Sequence, residues 1–164
     1  MTDARFEDAE DRPLRLIARD AADLGVISAL VQDAVLTGAD LHFQRARRRF
    51  SLLLNRFRWE DESRAKTEHR RYERVRAVLD FGDVTAVAHQ GLNRDADTVL
   101  SLLSIAFEPA AETQPGDPAG PGRVVLTFAG DGALALTVEC LEVELADVTR
   151  PYAAPSGHAP HHPD

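Results

Sequence analysis

The chain is predicted to fold as an α+β domain, built mainly on an antiparallel sheet or half-closed barrel of about seven strands. One amphipathic helix lies near its N-terminus, and a short C-terminal helix is an alternative reading of residues 141–148. Three observations predict this. Apolar residues alternate with polar ones along most of the chain, the period of a half-buried strand. A single run, between Leu24 and Val35, carries helical spacing instead. Glycine-rich turn signals separate closely spaced strand candidates, which suits consecutive hairpins.

Residues 1–12 are acidic and without a core-forming pattern, so a disordered leader is expected before a domain spanning 13–149. Leu14 to Ala18 is a short strand candidate. Asp20 then precedes the helical run, with Asp23 in its first turn. Carboxylates there accept orphan backbone N–H groups and favour the positive end of the helix dipole. Leu24, Ile27, Leu30, Val31 and Val35 share one helical face, and Gly38 is the expected stop.

Beyond Gly38 the period becomes two. Leu41 and Phe43 form one strand, Arg45–Arg48 a polar link, and Phe50, Leu52 and Leu54 the core face of a second, longer strand. Leu53, Phe57 and Trp59 occupy its other face. Residues 60–71 are a charged excursion with no apolar stripe. Alternation resumes from Tyr72 to Phe81, and Gly82-Asp83 reads as a tight hairpin turn into Val84–His89. Asn93–Asp97 is a polar turn, and Val99–Phe107 is apolar enough for a central strand. Residues 109–122 are a Pro/Gly loop. Arg123–Phe128 and Ala133–Cys140 flank Ala129-Gly130-Asp131-Gly132, a strong hairpin signal because glycine adopts positive φ without steric penalty. Leu141–Val148 fits a strand through Leu141, Val143 and Leu145, or a helix through Leu141, Leu145 and Val148; the helix is slightly favoured. Residues 150–164, a Pro/Ala/His stretch without a core pattern, are expected to form a disordered tail.

The 164 residues are 44% hydrophobic and 28% charged, a globular composition. The lone Cys140 forms no internal disulfide, and no apolar run approaches the roughly 20 residues of a membrane span. A cytoplasmic location is therefore expected, with no membrane association. Net charge is −8, yet twelve of the 19 Lys and Arg residues fall between Arg45 and Arg76, beside only five acids. An acidic whole argues against general nucleic-acid binding, since phosphate affinity rests on positive potential.

The stretches Leu14 to Val35, Leu54-Asn55-Arg56-Phe57-Arg58-Trp59-Glu60, Arg74-Val75-Arg76, Val99 to Pro109 and Val138-Glu139-Cys140-Leu141-Glu142 resemble DUF2948, a family of uncharacterised alphaproteobacterial proteins. The resemblance spans most of residues 14–148. It departs at Ala86-Val87-Ala88-His89, where a more basic strand is expected of relatives. It implies no activity, because the family has none assigned.

Arg49, Arg56, Arg58, Arg74 and Arg76, with Trp59, form the one candidate site. Arginines on one sheet face can grip phosphate bidentately, and an indole can stack a base. Against this, exposed arginines paired with acids are an ordinary way to solvate a sheet. Asp95 and Asp97 have DxD spacing, more often a capped turn than a Mg²⁺ site. His158, His161 and His162 lie in the tail. Cys140 lacks a nucleophile signature, and Ser101 and Ser104 lack a nucleophile elbow. No catalytic residue, metal or cofactor is assigned, and the chain is read as non-catalytic rather than as an enzyme. The expected role is an accessory or protein-binding domain with a protein partner. An RNA- or phosphate-ligand-binding module on the arginine face is the alternative, and an enzyme with an unrecognised site is the second.

Overall fold

A computed structural model describes residues 13–61, 73–93, 95–112 and 119–153. The strands are β1 (Arg15–Ala18), β2 (Ala34–Thr37), β3 (Leu41–Gln44), β4 (Arg49–Phe57), β5 (Glu73–Phe81), β6 (Val84–Gln90), β7 (Val99–Pro109), β8 (Gly122–Phe128), β9 (Ala133–Val138), β10 (Val143–Asp147) and β11 (Tyr152–Ala153). The one α-helix among the described residues, α1, spans Ala21–Leu30. The sheet is antiparallel, open and eleven-stranded, not about seven-stranded, in the order β1-β10-β5-β4-β2-β7-β8-β9-β6; β3 also pairs with β4, and β11 with β5.

The helix begins as its cap chemistry dictates. Asp20 accepts a hydrogen bond from the Asp23 N–H at 2.8 Å. Leu24, Ile27 and Val31 are buried against the sheet. Gly38 is not its end, however. The chain leaves the helix at Val31, and Asp33 turns it through a left-handed conformation, φ 64°. Ala34–Thr37 then pairs with β7, and the Asp33 N–H donates to the Leu102 carbonyl. Ala34 and Leu36 alternate with less buried neighbours, so tertiary pairing overrides the helical spacing of Val35.

The sheet has two halves. One is β1-β10-β5-β4, with β3 and β11; the other is β2-β7-β8-β9-β6. Only the pair Val35↔Asn55 joins β2 to β4. Leu52, Leu79 and Leu145 from the first half share one hydrophobic core with Leu102, Leu126 and Leu136 from the second.

Three further expectations are corrected. Residues 143–147 form strand β10, between β1 and β5, and not a helix. Val143 and Leu145 are fully buried there with Glu144 between them, the period-two pattern. Gly82-Asp83 is not a hairpin turn. Both edges of β5 are occupied, by β4 and β10, so β6 crosses to β9 in the other half. The crossing is held by Gly82 N–H to the Glu142 carbonyl, Glu139 N–H to the Asp83 carbonyl and Val84 N–H to the Arg48 carbonyl. At the β8–β9 turn the positive-φ residues are Gly130 and Asp131, rather than Gly130 and Gly132.

Candidate functional site

In an antiparallel pair, directly opposed residues share a face. Arg56 lies opposite Val75, whereas Asn55 and Phe57 lie opposite Arg76 and Arg74. Arg56 therefore continues the inward series Phe50, Leu52, Leu54, while Arg49, Arg74 and Arg76 belong to the outer face. The predicted arginine site is divided by the sheet itself.

Arg56 is fully buried. Its Nε and Nη2 donate to the two carboxylate oxygens of Asp147 at 3.0 Å each, and Nη1 and Nη2 donate to Glu60 at 2.8 and 2.7 Å. Asp147 also accepts the Leu14 N–H at 3.0 Å. Burial works against the guanidinium charge, yet its hydrogen bonds to Glu60 and Asp147 hold its pKa above the ordinary arginine value. Burial likewise works against the Glu60 carboxylate, and the bonds to Arg56 outweigh it, holding Glu60 below the usual range. This cluster ties the ends of β4 and β10 to the 3-10 turn at Trp59–Asp61.

Arg58 is also buried and pairs with Glu73. Arg49 pairs with Asp80, which accepts a further bond from Ser51 at 3.0 Å. Trp59 donates its indole N–H to the Gln32 carbonyl at 2.9 Å and meets Phe57 edge-on, with ring centroids 4.6 Å apart. Arg74 is half-buried, and Arg76 is exposed. Charge-assisted bidentate pairing occupies the donors that phosphate would need on Arg56.

Cys140 is half-buried and lies beyond the end of β9, outside the strand expected to run through to it. Its thiol donates to Asp83 at 2.8 Å. That bond, then burial, then the charges of Asp83, Glu142 and Glu139 push its pKa up to about 11, away from nucleophile chemistry. Asp95 and Asp97 are exposed, and the Asp95 N–H donates to Asn93 Oδ1 at 3.0 Å, a turn-stabilising bond. Residues 62–71, which carry much of the charged excursion, and the tail histidines lie outside the described residues.

A different site lies between the halves. The backbone bond from Val84 to Arg48 brings the start of β6 to the β3–β4 turn. From there β6 passes β3 across a groove of about 390 Å³, lined by Gly38, Leu41, Phe43, Arg45, Phe50, Val87 and Leu134. That volume is within the usual range of ligand pockets, roughly 300–1,000 Å³. Phe43 and Phe50 pack with centroids 6.3 Å apart. The Arg45 guanidinium sits 5.6 Å from the Phe43 ring centroid. Each flanking strand has one edge without a strand partner among the described residues: β3 pairs only with β4, and β6 only with β9. Sequence reasoning treated Arg45–Arg48 as a link and missed the groove. The signal available was Leu41, Phe43 and Arg45 at spacing two.

Among the described residues no helix is long and apolar enough to cross a membrane. No curated protein and no solved structure matches the chain. A family model described as a protein of unknown function, DUF2948, matches residues 14–162. Extending over nearly the whole chain, that match identifies it as a member of the DUF2948 family.

Proposed function

We propose that the chain is a cytoplasmic, non-catalytic binding module that takes up an extended segment of a partner protein by strand addition between β3 and β6. The observation that carries this reading is the pair of strand edges, without a strand partner among the described residues, that flank an apolar-floored groove. An unpaired edge presents a row of backbone N–H and C=O groups that another chain can satisfy. Edges that must stay free are commonly blunted by lysine, proline or buried charge. β6 reads Val-Thr-Ala-Val-Ala-His-Gln and carries no Lys, Arg, Asp, Glu or Pro. Among the described residues the groove lining holds one ionisable side chain, Arg45, and arginine stays protonated at neutral pH. Its chemistry therefore suits binding rather than proton transfer.

The test is selection from a random peptide display library on the full chain, followed by hydrogen exchange with a selected peptide. Slowed exchange confined to β3 and β6 amides is the expected result. Failure to select any peptide, or protection elsewhere, overturns the reading. Salt-sensitive binding of a single-stranded RNA oligomer, lost on Arg76→Ala, would instead place the ligand on the outer arginine face.

A further inference from the structure

Resting on the strand-addition reading, we infer that the segment carries two apolar residues and one carboxylate at spacing two, the carboxylate meeting Arg45. Leu41 and Phe43 of β3, and Arg45 at the start of the 3-10 turn that follows it, all line the groove and stand at positions i, i+2 and i+4. A strand added beside them presents its own alternate side chains to the same side, at intervals of about 6.8 Å. Opposed residues on neighbouring strands approach to about 4.5–5.5 Å, so each lining residue selects the side chain facing it. Leu41 and Phe43, with Phe50, Val87 and Leu134 beneath, select apolar side chains.

Charge complementarity sets the third position. Arg45 is exposed and forms no ion pair with a described acid; its recorded contact is with the Phe43 ring. Asp40, the nearest acid along the chain, is engaged by the N–H and hydroxyl of Thr37 at 2.9 and 3.0 Å. Arg47 in the same turn is exposed and likewise unpaired with a described acid. Arg48 and Arg49 differ, being paired with Glu139 and Asp80. The groove thus ends in uncompensated positive charge beside an apolar floor. Either strand direction satisfies the pattern, with the acid first or last.

Fluorescence anisotropy of labelled peptides on the full chain tests this. The probes contain Leu-Ser-Leu-Ser-Glu or its reverse, each against the same peptide with Gln for Glu. One Glu peptide is expected to bind about tenfold tighter than its Gln twin, the scale of a charge-assisted hydrogen bond. Arg45→Glu should abolish that preference and favour a Lys peptide instead. Arg45 is exposed, so this variant should keep the native urea midpoint. Equal binding of the Glu and Gln peptides overturns the charge readout while leaving strand addition standing. No binding by any probe, with the chain folded, removes both.

Discussion

Asp147→Ala is the sharpest test of what holds the two ends of the first half-sheet together. Asp147 supplies two of the four carboxylate contacts to a guanidinium with no solvent exposure, and its own side chain is only 5% exposed. Removing it leaves Arg56 held by Glu60 alone and orphans the Leu14 N–H, which begins the approach to β1. Losing one partner of a buried ion pair costs about 3–5 kcal/mol, because the remaining charge stays buried without compensation. Glu60 persists, so the lower end, about 3 kcal/mol, is expected. Urea unfolding measures it directly, and the same loss lowers Tm by on the order of 10 °C in a domain of this size. The triple variant Arg56→Met/Glu60→Gln/Asp147→Leu should recover most of the loss, since replacing a whole buried ionic cluster by uncharged side chains is often neutral or stabilising. An Asp147→Ala loss below about 1 kcal/mol would refute the picture of a desolvated, mutually dependent cluster.

Glu60 gives the cluster a pH signature. Its folded pKa is depressed, so its contribution is fully present above the ordinary glutamate value, about 4.3, and is lost as pH falls through the folded value. Glu60→Gln should therefore flatten the acid limb of a stability–pH curve, and an unchanged limb would count against the ion pair. With a pKa of about 11, Cys140 should alkylate slowly at pH 8, with about one thiol in a thousand ionised; Asp83→Asn should accelerate iodoacetamide labelling in the folded state. At Gly122 an added Cβ would lie 2.5 Å from the Glu108 carbonyl oxygen and 2.6 Å from the Phe107 ring. Gly122→Ala should cost about 1–3 kcal/mol in urea unfolding, the usual scale of overpacking.

Much of the fold was legible because local chemistry and tertiary placement agree. Asp20 caps α1 as its position before the apolar run implies, and the strands around Leu52, Leu79 and Leu126 bury the residues their alternation selects. Readings failed where two local patterns competed. Val35 continues a helical face but lies in a strand, because Asp33 takes a left-handed turn that spacing cannot reveal. Leu141–Val148 fits both periods, and the edges offered by β1 and β5 decide for strand. Gly82-Asp83 resembles a hairpin turn in composition alone. Whether adjacent strands pair depends on which edges remain free, a property of the whole sheet.

The site was less legible for a related reason. Arg56 follows Leu52 and Leu54 at the same spacing, so its parity already pointed inward. Composition argued the opposite, because charged residues are rarely buried unless paired. The partner that permits burial, Asp147, is 91 positions away, in a segment whose spacing slightly favours a helix. Misreading β10 therefore hid the acid that accounts for Arg56. Arg45 is the converse case. It lies near Arg48 and Arg49, both neutralised by acids distant along the chain, Glu139 and Asp80, while its own charge faces the groove. In this fold an arginine's availability to a ligand is settled by which acids the sheet brings opposite it. Charge density along the chain singles out the stretch from Arg45 to Arg76, and strand pairing separates a structural guanidinium at Arg56 from an exposed one that faces the groove at Arg45.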